Sequence, residues 1–550
     1  MSEFILINCP PWGVAMPPLG IAYLTTYLKA KNIEVKISDL NLQLYQKADK
    51  QQIDFWGLDT INRILPVKIA QDLFYSFEDH ITEFIKGLKD YRLIGFSANN
   101  LISATFAGML GQRIRELWPG KILILGGPGC YHSWDRKVVP KEAVDFFIIG
   151  EGEEALEKLI QVVKVNQDIL KRAQQIPGLL LHRNNQGQRF YPAISIKDLS
   201  KLPYPTFEEF DLKLYNYAES YRPLPILISR GCINRCSYCI DWYMSGSFRL
   251  RKPEHIVAEM KHHVEHYQIT HVEFNDLLCN GNLAHLEQLC DQLIEAKLKI
   301  TWISYAAIRK DMDGVLLAKM KKAGCSSLCY GIESGADAVL KRMNKRYVCQ
   351  DAAELIKRTY KAGIEVRMNI IVGFPGETTA DFNQTLDFIR TNKKYISQVT
   401  NVSSFVLMPG ADLSIYPHRF GIVYLDPNDL GKWTDENGLT QEERNNRVIE
   451  TCQVLKELGI RNLIINYQKQ ICKHVHNLKK EKILSQEPLK KTILTKQLIV
   501  EDIEKKDRNQ RKQRVGKSLI LFSLFIFSLI IDFYLIFLKK IRGSIIFPGN

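Results

Sequence analysis

Short apolar runs separated by stretches of helical periodicity recur twice along this chain, and that rhythm limits the folds open to it. The first series has strands expected at Phe4–Asn8, Ile33–Ser38, Leu93–Ser97, Ile122–Leu125 and Phe146–Ile149. Helices are expected between them at Ile21–Lys31 and Thr105–Leu117, with a last one reaching about Val165. Strands that alternate with helices pair in parallel, because a crossover helix returns each strand in the same direction. Residues 1–165 are therefore expected to form a doubly wound parallel sheet, with ligands at the carboxyl ends of its strands. Residues 166–222, with Pro177, Pro192, Pro203 and Pro205, are expected to be a connector. The rhythm restarts at residue 223. Strands are expected at Leu224–Ser229, His271–Phe274, Ile300–Tyr305, Ser327–Ile332, Glu365–Val372 and Val399–Leu407. Six strands with helical crossovers over 223–440 predict a partial parallel (β/α)6 barrel whose active groups sit at the strands' carboxyl ends.

Directly after the first barrel strand comes Arg230-Gly231-Cys232-Ile233-Asn234-Arg235-Cys236-Ser237-Tyr238-Cys239. Its C-x3-C-x2-C spacing offers three soft thiolates, which suit an iron–sulfur cluster or zinc. A structural zinc site closes with a fourth ligand, and none follows at finger spacing. On a four-iron cluster, three thiolates leave one iron open. The other reading is three ordinary cysteines in a loop. Cysteines 279, 290, 325, 329, 349, 452 and 472 lack ligand spacing and are expected to be packing residues.

The cysteine motif, with an aromatic residue before its last cysteine, resembles the radical S-adenosylmethionine (radical SAM) superfamily. That resemblance implies a 4Fe-4S cluster on Cys232, Cys236 and Cys239, SAM on the open iron, and reductive cleavage of SAM to a deoxyadenosyl radical. It implies Tyr238 beside the adenine and SAM acceptors at Asn275 and Asp276, where the second strand ends. Gly331-Ile332-Glu333-Ser334-Gly335 resembles the family's G-x-E-S-G, which implies Glu333 at the SAM ribose. In Val372-Gly373-Phe374-Pro375-Gly376, Gly373 and Pro375 are implied beside adenine. The nearest alternatives are an ordinary turn for Asn275 and Asp276, and a carboxylate satisfied by a helix N-terminus for Glu333.

The first 165 residues resemble the cobalamin-binding domain that precedes many radical SAM enzymes. The matching residues are Pro17-Pro18-Leu19-Gly20, Gly126-Gly127-Pro128 and Gly150-Glu151-Gly152-Glu153, so Pro18, Gly20, Gly126, Gly127, Gly150 and Glu151 are implied cofactor contacts. The D-x-H-x-x-G motif that supplies a cobalt-ligating His is absent; His132 reads as a polar loop residue. An α/β domain kept for architecture is the alternative. Together the two resemblances imply methylation of an unactivated carbon through methylcobalamin and SAM. Cobalamin-linked cyclisation or oxidation without methyl transfer is the alternative, and a scaffold that binds the cluster without catalysis is a third reading. A small-molecule substrate and a reductant such as ferredoxin or flavodoxin are implied partners.

The formal net charge of +14 raises a nucleic-acid partner, but residues 473–550 hold 17 Lys and Arg against 7 Asp and Glu, which leaves +4 for residues 1–472. The excess belongs to the tail, and no nucleic-acid partner is expected. Residues 441–517 are expected to be a helical region followed by a basic stalk. Ser518–Leu538 holds a single charged residue, Asp532, over 21 positions. That length predicts a transmembrane helix, hence a single-pass C-terminal anchor with the catalytic domains in the cytoplasm and a substrate that could be lipid-soluble. No signal peptide is expected at Met1–Cys9.

Overall fold

The computed structural model describes residues 3–57, 66–132, 136–165, 167–182, 190–215, 223–408, 410–426 and 429–462. Its first sheet contains β1 (Phe4–Asn8), β2 (Lys36–Ser38), β3 (Leu93–Ser97), β4 (Ile122–Gly126), β5 (Phe146–Ile148) and β6 (Leu179–Leu181), in the order β2-β1-β3-β4-β5-β6. The first five are parallel. Side chains alternate between two cores, as the two-residue period of a strand requires. Ile5, Ile7, Ile94 and Phe96 enter one core, shared with helix α2 (Leu101–Leu117). Phe4, Leu6, Ile124 and Phe146 enter the other, shared with α1 (Leu19–Ala30) and α3 (Glu153–Val165). Helices on both faces explain why these strands read as continuous apolar runs.

The second sheet is parallel throughout, in the order β17-β14-β13-β12-β11-β10-β7. Its strands are β7 (Pro223–Ile226), β10 (His271–Phe274), β11 (Thr301–Ala306), β12 (Cys325–Glu333), β13 (Glu365–Val372), β14 (Gln398–Ser404) and the short β17 (Arg461–Asn462). Between its two segments at β7 and β10, the pair β8 (Ser229–Arg230) and β9 (Arg249–Leu250) forms a small antiparallel ribbon. The helix-facing residues of this sheet, including Val272, Trp302, Leu328, Val366 and Ile370, join the same core as α1 and α3. The two sheets therefore share one continuous apolar layer.

Two expectations are corrected. The N-terminal sheet is not purely parallel, because Leu179–Leu181, inside the expected connector, returns as an antiparallel edge strand on β5. Past residue 440 the chain is helical: α9 (Gln441–Glu457) buries Val454 and Leu455 in the core, and β17 then extends the sheet. Finally, the membrane-spanning helix, the membrane localisation and the fold class that included them are not sustained. Among the described residues no helix is long and apolar enough to cross a membrane. The longest, Leu101–Leu117 and Gln441–Glu457, have 17 residues each, short of the ~20 a span requires, and both lie against sheets. Ser518–Leu538 and Cys472 lie outside the described residues.

Candidate active site

The cysteine loop is fixed at both ends before any metal is considered. Asp276, at the end of β10, is buried beneath it and accepts hydrogen bonds from Ile228 N (3.0 Å), Ser229 Oγ (2.6 Å) and Ser229 N. Burial outweighs these donors and pushes the Asp276 carboxyl up to about 7. Gly231 has φ +89°, and a Cβ there would lie 2.6 Å from Ser247 O, so only glycine lets the loop leave β8 this way. Farther along, Ser237 N and Oγ bond to Met343 O and Arg342 O, both at 3.1 Å, and Leu413 N donates to Ser237 O at 3.2 Å.

Cys236 is buried, Cys232 and Cys239 are half-buried, and all three are free thiols. Burial pushes each thiol up, Cys239 to about 12; the Asn234 N–H, 3.4 Å from Cys232 Sγ, opposes the shift at Cys232. Such thiols ionise on coordination, so metal binding there releases protons. Among the described residues no three His, Cys, Asp or Glu side chains close on a single ion. A cluster differs from a single ion in spreading its thiolates over separate irons, and three loop cysteines with backbone N–H groups nearby fit that requirement.

Across from the loop lies a second set of groups. Glu333 closes β12 with φ +67°, a left-handed conformation uncommon for a side chain this size, at a break in the β12–β13 register. The bulge aims its carboxylate at Lys345 Nζ, 3.3 Å away. Lys345 also sits 5.6 Å from the Tyr238 ring centroid. Tyr238 in turn meets Phe374 and Phe405 edge-on, at 6.3 and 6.4 Å. Thus Tyr238, Glu333 and the loop carrying Gly373 and Pro375 converge beside the cysteines. Asn275 is exposed at the same level, its N–H bonded to Ile226 O, whereas the Asp276 side chain is committed to the loop backbone beneath. Cys329, expected to pack, faces the barrel interior beside Thr400 at 3.3 Å.

Sequence reasoning missed what braces this shelf. Gly373 N donates to Glu377 at 2.6 Å, Glu377 pairs with Arg447 of α9 at 2.7 Å, and Gly376 N donates to Asp435 at 2.7 Å. At Gly373, φ +73°, a Cβ would strike the Arg444 side chain. Two arginines three residues apart in an otherwise amphipathic helix were the available signal. Lys345 had none.

The N-terminal glycine loops face this assembly. Pro18 O caps α1 by accepting from Ala22 N at 3.2 Å, and Gly20 lies on its open first turn. Gly126 ends β4, and a Cβ on Gly127 would lie 2.4 Å from Ala98 O, so glycine here lets the loops after β3 and β4 touch. Gly150, with φ +95°, turns the chain into α3. Glu151 then pairs with Arg249 (2.7 Å) and Arg230 (3.3 Å), and Glu153 with Arg230 (2.5 Å). Glu151, an implied cofactor contact, thus ties the turn after β5 to the β8–β9 ribbon. Tyr131, after β4, meets Tyr243, after the cysteine loop, at 6.5 Å. The carboxyl edges of the two sheets confront each other.

Residues 226–389 match the radical SAM superfamily. An uncharacterized methyltransferase of Pyrococcus horikoshii is 23% identical over 381 residues, 69% of this chain and 74% of that one. Among solved structures, OxsB, a cobalamin-dependent SAM radical enzyme with aqua-cobalamin and SAM bound, aligns at TM-score 0.61 and 16% identity, over 99% of this chain and 82% of that one. The radical SAM methyltransferase TsrM of Kitasatospora setae, with cobalamin and a 4Fe-4S cluster bound, aligns at TM-score 0.57 and 18% identity, over 78% and 80%. Residues 226–389 thus carry a radical SAM domain, and the chain has the two-sheet fold of the cobalamin-dependent enzyme OxsB and of TsrM.

Proposed function

We propose that this enzyme methylates an unactivated carbon, with a 4Fe-4S cluster on Cys232, Cys236 and Cys239, SAM on the cluster's open iron, and cobalamin at the carboxyl edge of the N-terminal sheet. When bound, these groups supply one-electron cleavage of SAM, hydrogen abstraction and a methyl carrier. The chain's part is to bind and orient. The loop glycines and Asp276 hold the three thiols in one frame. Glu333 offers a carboxylate to a ribose hydroxyl, and Lys345 compensates its charge. Tyr238, backed by the buried Phe374 and Phe405, offers a ring face to adenine, while Gly373 lets backbone approach the ring. The observation that carries the reading is the confrontation of the two carboxyl edges, locked by Glu151 and Glu153 on Arg230. It would set a ligand of the first sheet opposite the cysteine loop, with water excluded between them.

The three described histidines of residues 1–182 offer no cobalt ligand motif. His132 lies against Gly410, His182 bonds to Val139 and Pro140 carbonyls, and His80 lies on the helix Glu78–Lys86. Full-length protein reconstituted anaerobically with iron, sulfide and hydroxocobalamin should therefore retain cobalamin through gel filtration. Its Co(II) paramagnetic resonance spectrum should lack splitting from a protein imidazole nitrogen. Loss of all cobalamin in that step would overturn the cobalamin assignment.

A further inference from the structure

The inner face of the barrel is polar, and that needs a reason. On β10 to β13, Val272, Trp302, Leu328, Val366 and Met368 point outward into the apolar core. The residues between them point inward: Glu273, Tyr305, Ser327, Cys329, Arg367 and Asn369. Strand register puts Tyr305, Cys329 and Arg367 in one row. Glu273, Ile303 and Ser327 share the row before it. A barrel interior that only had to be filled would carry layers of Val, Ile and Leu. Here Tyr305, in mid-sheet, is 45% exposed, so the lumen is open to ligand.

Some of these polar groups serve each other. Asn369 Oδ1 accepts from Thr400 at 2.7 Å. Others have nothing. Arg367 Nε is buried without a partner, as is Ser327 Oγ, on a residue only 4% exposed. The Glu273 carboxylate has no hydrogen bond or ion pair among the described residues. Burial pushes its carboxyl up, and the Arg367 charge opposes that without pairing. A barrel that keeps an acid and a guanidinium unpaired on adjacent rows of one lumen leaves both for a third party.

We propose that this lumen is the substrate site, and that the substrate is a small molecule carrying a carboxylate, held by Arg367, and an ammonium or hydroxyl donor, held by Glu273. This rests on the methyltransferase reading above and adds the substrate class. The planar fork of Arg367 matches a carboxylate with two parallel hydrogen bonds. Glu273 accepts from the donor group, and Ser327 lies in its row. A hydrocarbon-like substrate would bury both charges uncompensated, so this replaces the expectation of a lipid-soluble one. Glu333 lies four residues beyond Cys329 on β12, roughly 13 Å farther along the strand. The charged end of the substrate would therefore sit below the SAM shelf, with its remaining carbon skeleton directed toward it.

The test uses full-length protein loaded with cluster and cobalamin, with S-adenosylhomocysteine saturating the SAM shelf. It is dialysed to equilibrium against the small-molecule fraction of a bacterial extract, and retained species are identified by mass spectrometry. Wild type should retain a species with a carboxylate and an amine or hydroxyl group. Retention should fall at least tenfold in Arg367→Gln and in Glu273→Gln, with partial recovery in Arg367→Lys, while iron content and S-adenosylhomocysteine affinity stay unchanged. If one variant fails to fold, the other carries the test. Retention only of neutral or apolar species, retention of nothing, or equal retention by wild type and a folded variant would overturn the proposal. A loss of S-adenosylhomocysteine affinity in Arg367→Gln would overturn it too, by assigning the row to SAM. Failure of the methyltransferase reading is distinguishable: it appears as missing cobalamin in the same preparation, while dialysis still reports on the lumen.

Discussion

At the residue scale, the cysteine loop separates ligands from the groups that hold them. Replacing Cys232, Cys236 and Cys239 together by Ala should abolish both the cluster's visible absorption and SAM cleavage. A triple variant that kept normal iron and sulfide would exclude these ligands. Asp276 acts one layer below. The folded chain holds its proton more tightly than the unfolded chain, with the carboxyl raised from 3.8 to about 7. Its contribution to stability is therefore full below about 3.8 and lost as pH rises toward about 7. In cluster-free protein, the thermal midpoint of wild type relative to Asp276→Asn should fall across that window. A pH-independent difference would remove Asp276 from the linkage. The Cys motif was legible because its spacing is local; the burial of Asp276 was not, because it depends on a turn from another strand closing over it.

Among elements, the link that matters most is the turn from β5 into α3. Glu151 and Glu153 reach across to Arg230, which immediately precedes Gly231 and Cys232. Converting both to Gln would leave a largely buried guanidinium without its counter-charges, a loss of about 3–5 kcal/mol by the usual penalty for a broken buried pair. The variant should show a lower urea midpoint and an altered cluster paramagnetic resonance signal, because the loop loses its anchor. An unchanged midpoint would show that the pairs contribute nothing. The six main strands of the barrel were readable from sequence, since each carries apolar residues at a two-residue period between stretches of helical period. β6, β8, β9 and β17 were not, because two or three residues carry no period. The Glu153–Arg230 contact was equally hidden, since its partners lie 77 residues apart.

For the molecule as a whole, the two sheets share one core and turn their carboxyl edges toward each other, so a first-sheet ligand would oppose the cysteine loop. The order of motifs made both units legible, but not their facing arrangement, nor the service of α9 in bracing the SAM shelf through Arg447. Breaking that brace should weaken SAM binding without loss of iron: Arg447→Met should raise the SAM dissociation constant about tenfold, the effect of ~1.4 kcal/mol. Equal affinity in variant and wild type would confine Arg447 to packing. The central claim is methyl transfer by a cobalamin-loaded radical SAM enzyme. Its most direct measurement is anaerobic incubation of full-length, cluster-loaded protein with SAM and a low-potential reductant, with and without bound cobalamin. The account predicts both deoxyadenosine and S-adenosylhomocysteine when cobalamin is bound, and loss of S-adenosylhomocysteine when it is omitted. Deoxyadenosine without any S-adenosylhomocysteine in the cobalamin-loaded protein would contradict it.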